Sequence, residues 1–157
     1  MSTKFTNEEA SSDPSPPLTV LLGAVSQSVL RRLHGRLREC GYDSVTEPHL
    51  VLFGNLDCGA THAAQIAQRM QVSRQAISKT LRELQALGFA RLEDDPARRN
   101  QKLVVMTEQG MQLAVDARAQ LHVIETEMAA EIGTEAMTAL RRALETYWHA
   151  GISHRRN

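Results

Sequence analysis

Residues 61–84, THAAQIAQRMQVSRQAISKTLREL, spell two short amphipathic helices joined by a tight turn at Met70 to Ser73. In the second helix Ile77, Leu81, Leu84 and Leu87 recur at helical spacing and must face a core. Arg74, Ser78 and Arg82 step by four along the opposite side, with Gln75 and Lys79 in the next row. Guanidinium, ammonium and amide groups on the outer face of a second helix match the acceptors that duplex DNA presents in its major groove. Charges at this spacing, taken alone, are more often a solvated helix face. Their neighbours change the balance. Ser73 is placed to cap the helix, with Val72 before it and Ile77 beyond it as a hydrophobic staple. Gly88 ends the helix, and two short apolar runs follow, Phe89 to Leu92 and Leu103 to Thr107. They bracket the charged loop DDPARRNQK, so the pattern predicts a two-stranded wing with Arg98 and Arg99 in its loop.

Outward from this centre the chain is helical. Leu18, Leu22, Val25, Val29, Leu33 and Leu37 describe a first helix ended by Gly41. Thr46 is the expected cap of a short helix running through Leu56, with Pro48 in its first turn and Asp57, Cys58 and Gly59 closing it. The next helix is expected directly after Thr61. Beyond the wing, Thr107 caps a long helix whose Ala114, Ala117, Leu121, Ile124 and Met128 form a heptad-like seam. Gly133 breaks it, and Thr134 is expected to cap a last helix carrying Met137, Leu140, Leu144 and Tyr147. This long-helix apolar surface exceeds what a small lobe covers, which predicts burial against a second copy. A two-fold dimer would hold two reading helices about 34 Å apart, one turn of duplex.

The expected fold class is mainly α (α+β), a winged helix-turn-helix with long terminal dimerisation helices. The expected divisions are a disordered tail over 1–17, a dimerisation helix over 18–45, the lobe over 46–107 and dimerisation helices over 108–157. The tail is rich in Ser, Pro, Thr and acid and has little to bury.

Composition bounds the function. The 157 residues are 42% hydrophobic but only 4% aromatic, so the core is aliphatic. Net charge is zero, yet residues 61–106 hold eight basic residues against four acidic ones. Localised positive charge gains affinity for DNA through release of counterions from phosphates, whatever the total. No run approaches the roughly 20 apolar residues that span a bilayer. The segment before Leu18 is acidic, the wrong charge for a secretory leader. Two cysteines, Cys40 and Cys58, make no disulfide framework, and a cytoplasmic location is expected.

The order of helices, wing and long helices, and above all VSRQAISKTLRELQALGFARLEDDPARRNQKLVVMTEQG (72–110), resembles the MarR family of bacterial transcriptional regulators. The resemblance covers the chain from Leu18 onward. It implies a homodimer held by the first and last two helices, binding a palindromic operator in double-stranded DNA and usually repressing. It implies that Ser73, Arg74, Gln75, Ser78, Lys79 and Arg82 contact the major groove and that Arg98 or Arg99 enters the minor groove. One departure is visible. The family's wing runs Asp-Pro-x-Asp-Arg-Arg, whereas here Asp95-Pro96 is followed by Ala97-Arg98-Arg99-Asn100. The aspartate that steadies the wing arginine is absent, which leaves Asp94 and Asp95 as the candidates for that work.

A small aromatic or apolar effector is expected in a cleft between lobe and long helices, with His49 and Phe53 as lining residues; no cofactor is expected. Two other readings are open. One is a winged-helix protein-interaction module without a DNA site. The other is a redox-sensing regulator using Cys40 or Cys58, of which Cys40 has Arg38 and His34 nearby to favour a thiolate. The six histidines include no His-x-x-x-His pair, and no Cys-x-x-Cys accompanies them, so no metal site is expected. With no phosphate loop, nucleophile elbow or paired acids, nothing in the chain asks for catalysis.

Overall fold

Leu33 and Leu37, one turn apart, are 5% and 0% exposed and fix the inner face of the first helix, α1 (Leu18–Glu39). The computed structural model describes residues 15–56, 60–98 and 101–154, with only the backbone at Ala60 and at 151–154. Most of the tail expected over 1–17, the 57–59 turn with Cys58, and Arg99 therefore lie outside the described residues. After α1 the order is α2 (Glu47–Phe53), β1 (Ala60–His62), α3 (Ala63–Met70) and α4 (Arg74–Ala86). Then follow β2 (Ala90–Asp94), β3 (Lys102–Met106), α5 (Glu108–Ile132) and α6 (Thr134–His154).

The lobe is a winged helix-turn-helix. Helices α3 and α4 are joined through Gln71, which takes a left-handed conformation (φ 53°). Ile77, Leu81 and Leu84 are buried on the inner face of α4, as their spacing requires. Val72 stays 41% exposed, so of the expected staple only Ile77 is buried. Strands β2 and β3 pair antiparallel with Asp94 opposite Lys102, the hairpin expected from the two apolar runs.

Four expectations need correction. First, the segment before α3 is not all loop. Ala60–His62 forms a third strand on the far side of β3, so α3 starts at Ala63 rather than directly after Thr61. Thr61 is fully buried opposite Val104. A three-residue strand is too short to show a period of two. Second, α2 stops at Phe53, not Leu56. Gly54 and Asn55 turn the chain, with Asn55 Nδ2 donating to the Val51 carbonyl at 2.8 Å. Third, the α5 seam is not a surface awaiting a second copy. Ile124 is fully buried, and Ala117, Leu121 and Met128 pack on the same core as Leu33 and Leu37. A heptad spacing shows that a helix needs a partner but not which one, and here α1 of the same chain takes the place. Fourth, Gly133, rather than Thr134, stands between α5 and α6 at the cap position.

One core unites the lobe with α1 and α5. Leu37, Val45, Leu52, Ile66, Leu84, Val104, Leu113 and Ile124 are each at most 1% exposed. Each such side chain contributes about 1.5–3 kcal/mol of hydrophobic stabilisation. Polar contacts pin the α1–α5 seam at both ends. Arg32 (2.5 Å) and Arg36 both donate to the Glu127 carboxylate, and Tyr42 Oη donates to Asp116 at 2.5 Å. The described side chains of α6 contribute nothing to this core. Leu140, Leu144, Tyr147 and Trp148 on α6, with Leu18, Val20, Leu21, Leu22 and Val25 at the start of α1, remain at least 39% exposed.

Candidate nucleic-acid interface

Helix α4 is capped as its sequence dictates: Ser73 Oγ accepts from the Ala76 N–H at 3.2 Å. Burial of Ile77, Leu81 and Leu84 turns the other side outward, so Ser73, Arg74, Gln75, Ser78, Lys79 and Arg82 are all exposed on the lobe surface. Within this face Ser78 Oγ donates to the Arg74 carbonyl at 2.8 Å and Arg82 Nε donates to the Ser78 carbonyl at 3.1 Å. These contacts use the Ser78 hydroxyl and the Arg82 Nε along the helix itself, while Arg82 remains exposed.

Charge on the lobe is selectively neutralised. Lys79 lies 3.8 Å from Glu83, Arg91 pairs with Glu93 at 2.5 Å, and Lys102 pairs with Asp94 across the wing strands. Arg74, Arg82 and Arg98 have no carboxylate partner among the described residues. Two of the three cations on the outer face of α4, Arg74 and Arg82, and Arg98 of the wing are thus without a carboxylate among the described residues.

The wing turn is organised by Asp95. Its Oδ1 accepts from the Ala97 N–H at 2.8 Å, and its backbone N–H donates to Gln101 at 3.0 Å. Its Oδ2 accepts from His62 Nε2 at 2.7 Å, and the carboxylate is only 7% exposed. The His62 hydrogen bond first, and then the Ala97 amide, hold the Asp95 carboxyl below the usual carboxylate range. Of the two acids expected to steady the wing arginine, neither pairs with the Arg98 guanidinium: Asp94 meets Lys102, and Asp95 holds the turn and His62, while Arg99 lies outside the described residues. Nothing in the sequence pattern singled out His62, because its partner lies 33 residues away.

His49 was expected beside Phe53 in an effector cleft. Instead it is 3% exposed and structural. Its Nδ1 accepts from the Thr46 N–H at 3.1 Å, so the ring proton sits on Nε2, which donates to Glu83 of α4 at 3.1 Å. Capping and tethering to α4 occupy both nitrogens. Phe53 does line a cleft, of about 240 Å³, between α1, α2, β3 and α5. Its walls include Leu33, Leu50, Met106, Leu113 and Leu121, with Arg118 exposed at the rim. Cys40 is exposed, with Gln120 Nε2 3.7 Å from its sulfur. Among the described residues no group of three His, Cys, Asp or Glu is placed to hold a metal ion, and no helix is long and apolar enough to cross a membrane.

Comparison with known proteins agrees with this geometry. A model described as MarR family matches residues 49–99. An uncharacterized protein of Mycobacterium tuberculosis, Rv2011c, is 29% identical over 80 residues, 51% of this chain. The chain spans 56% of the length of that curated relative. Among solved structures, that of MarR superposes with a TM-score of 0.73 at 20% identity, covering 88% of this chain and 99% of MarR. CouR of Rhodococcus jostii RHA1, bound to p-coumaroyl-CoA, superposes with a TM-score of 0.68 at 22% identity, covering 87% of this chain and 95% of CouR. Residues 49–99 thus match the MarR family model, and the chain as a whole has the fold seen in MarR.

Proposed function

We propose that the protein is a DNA-binding regulator that grips duplex DNA as a homodimer, with α4 in the major groove and the wing tip in the minor groove. The observation that carries this reading is the selective charge pattern. Lys79, Arg91 and Lys102 are paired with carboxylates, while Arg74 and Arg82 on α4 and Arg98 on the wing have none among the described residues and are left for an external anion. Guanidinium groups free of carboxylates can make charge-assisted hydrogen bonds to phosphates and base edges without first breaking an ion pair. The second copy would cover the exposed apolar residues of α1 and α6 and present two readers to a palindromic, repressible operator.

Regulation would come from the cleft. Its volume suits a single-ring compound, and CouR carries an aromatic thioester. Phe53 on its wall meets Phe89 edge-on, with ring centroids 6.4 Å apart, and Met106 on the same wall pairs with Ala90 of β2. A ligand that displaces Phe53 or Met106 would therefore shift the root of the wing and bind the two lobe positions with different affinity.

The test is anisotropy on the promoter fragment beside the protein's own gene, with sedimentation in parallel. Expected are a dimer, tight salt-sensitive binding lost in Arg82→Ala and Arg98→Ala, and release by aromatic acids that also raise the melting temperature. A monomer indifferent to these substitutions and to every fragment would replace the reading with a protein-interaction module.

A further inference from the structure

His62 occupies the N-cap position of α3, where Ser, Thr, Asp or Asn usually accepts a hydrogen bond from the first turn. It makes no such bond. The side chain is engaged elsewhere. Its Nε2 donates to Asp95 Oδ2 at 2.7 Å, with the ring 18% and the carboxylate 7% exposed, a largely dry charge-assisted bond.

Asp95 is the residue from which the wing turn is built. Its other oxygen takes the Ala97 N–H, its backbone carbonyl takes the Arg98 N–H at 3.3 Å, and its own N–H closes on Gln101. Arg98, whose guanidinium has no partner among the described residues, is thus hung from Asp95 by backbone alone. Rotation of the Asp95 carboxylate would release Ala97 and let the turn swing. His62 sits on β1, already paired with Leu103 and joined directly to α3. The bond therefore connects the wing tip to the first helix of the reading pair.

We propose that His62 is the positioning residue of the wing: by holding the Asp95 carboxylate it fixes the turn that presents Arg98 to DNA. This rests on the DNA-binding reading only for what Arg98 contacts; the fixing of the turn stands without it.

Two readouts separate these parts. Amide exchange of Ala97 and Arg98 in the free protein reports the turn, and anisotropy on the own-promoter fragment reports the contact. His62→Leu removes the donor, whereas His62→Gln restores an N–H at similar reach. Expected for His62→Leu is about tenfold faster exchange at Ala97 with the core amides unchanged, and about tenfold weaker binding. His62→Gln recovers most of both. Combined with Arg98→Ala, His62→Leu should cost nothing further, because it acts through Arg98. Unchanged Ala97 exchange, a His62→Gln variant as impaired as His62→Leu, or additive losses in the double variant would each overturn the proposal. Faster exchange in His62→Leu with no DNA binding by the parent protein would support His62 as the wing's anchor and defeat the DNA reading instead.

Discussion

Gly110 sits so close to Phe89 that a methyl group on its Cα would stand 2.0 Å from the Phe89 carbonyl oxygen. Around this contact Thr107 N–H donates to Phe89 at 3.2 Å, Thr107 Oγ1 donates to the Gly88 carbonyl at 2.6 Å, and Gly110 N–H donates to Thr107 Oγ1 at 3.0 Å. The first turn of α5 is thereby locked onto the residues where α4 becomes the wing. The threonine–glycine pair after the wing is a clamp between the lobe and the long helices.

Gly110→Ala should therefore destabilise far more than a surface Gly→Ala change, which normally strengthens a helix. The obstacle is backbone, which cannot rotate away, so a loss of about 3 kcal/mol or more is expected. Urea unfolding measures it; a loss below about 1 kcal/mol would mean that the helix and wing separate easily. Thr107→Val, which removes only the two side-chain bonds, should cost about 1–2 kcal/mol.

That clamp shows which parts of the architecture were legible in the sequence. Ser73, Ile77, Leu81 and Leu84 announce α4 because capping and helical period are local properties, and the structure places each as expected. The wing strands were legible for the same reason. The role of Gly110, by contrast, depends on Phe89, and that of His62 on Asp95, partners that no short-range pattern connects. The α5 seam was visible but its partner was not, since apolar spacing is equally consistent with α1 and with a second copy. His49 caps α2 and reaches Glu83 rather than lining the cleft, and a histidine near a helix start looks the same in sequence whether it faces a pocket or caps the turn.

Tyr42 supplies a test in alkali. Burial first, and then its hydrogen bond to Asp116, push the Tyr42 hydroxyl from its ordinary 10.0 up to about 12. The fold favours the neutral phenol. Its contribution to stability is fully present below about pH 10 and is lost as pH rises through about 12. Unfolding free energy measured from pH 9 upward should fall over this window, and Tyr42→Phe should remove that part of the decline. A Tyr42→Phe curve parallel to the parent's would show that the Asp116 bond does not couple to folding.

Glu127 gives the opposite limb. The hydrogen bond from Arg32, then that from Arg36, hold its carboxyl below the ordinary glutamate range. The folded state favours the charged form, so the stabilisation is present above the unfolded pKa and is lost as pH falls through the folded one. Glu127→Gln should lower the urea midpoint at neutral pH, because two arginines then face each other without an anion. The difference from the parent should vanish in acid, where both carry a neutral side chain at 127. A difference constant across pH would assign the effect to packing rather than charge.

Salt dependence separates the idle cations from the paired ones. Each phosphate contact contributes about 0.9 to the slope of log affinity against log salt. If Arg98 and Arg74 meet DNA, replacing either with Ala should reduce the slope by about one and weaken binding by about tenfold at moderate salt. Arg91→Ala is the control, since Arg91 is 56% exposed but already paired with Glu93 at 2.5 Å. Its slope should stay close to the parent's, because an arginine that keeps its carboxylate releases no counterion from the duplex. Equal slopes for Arg91→Ala and Arg98→Ala would mean that the binding field is diffuse over the lobe, and that pairing on the free surface does not select which arginines the DNA uses.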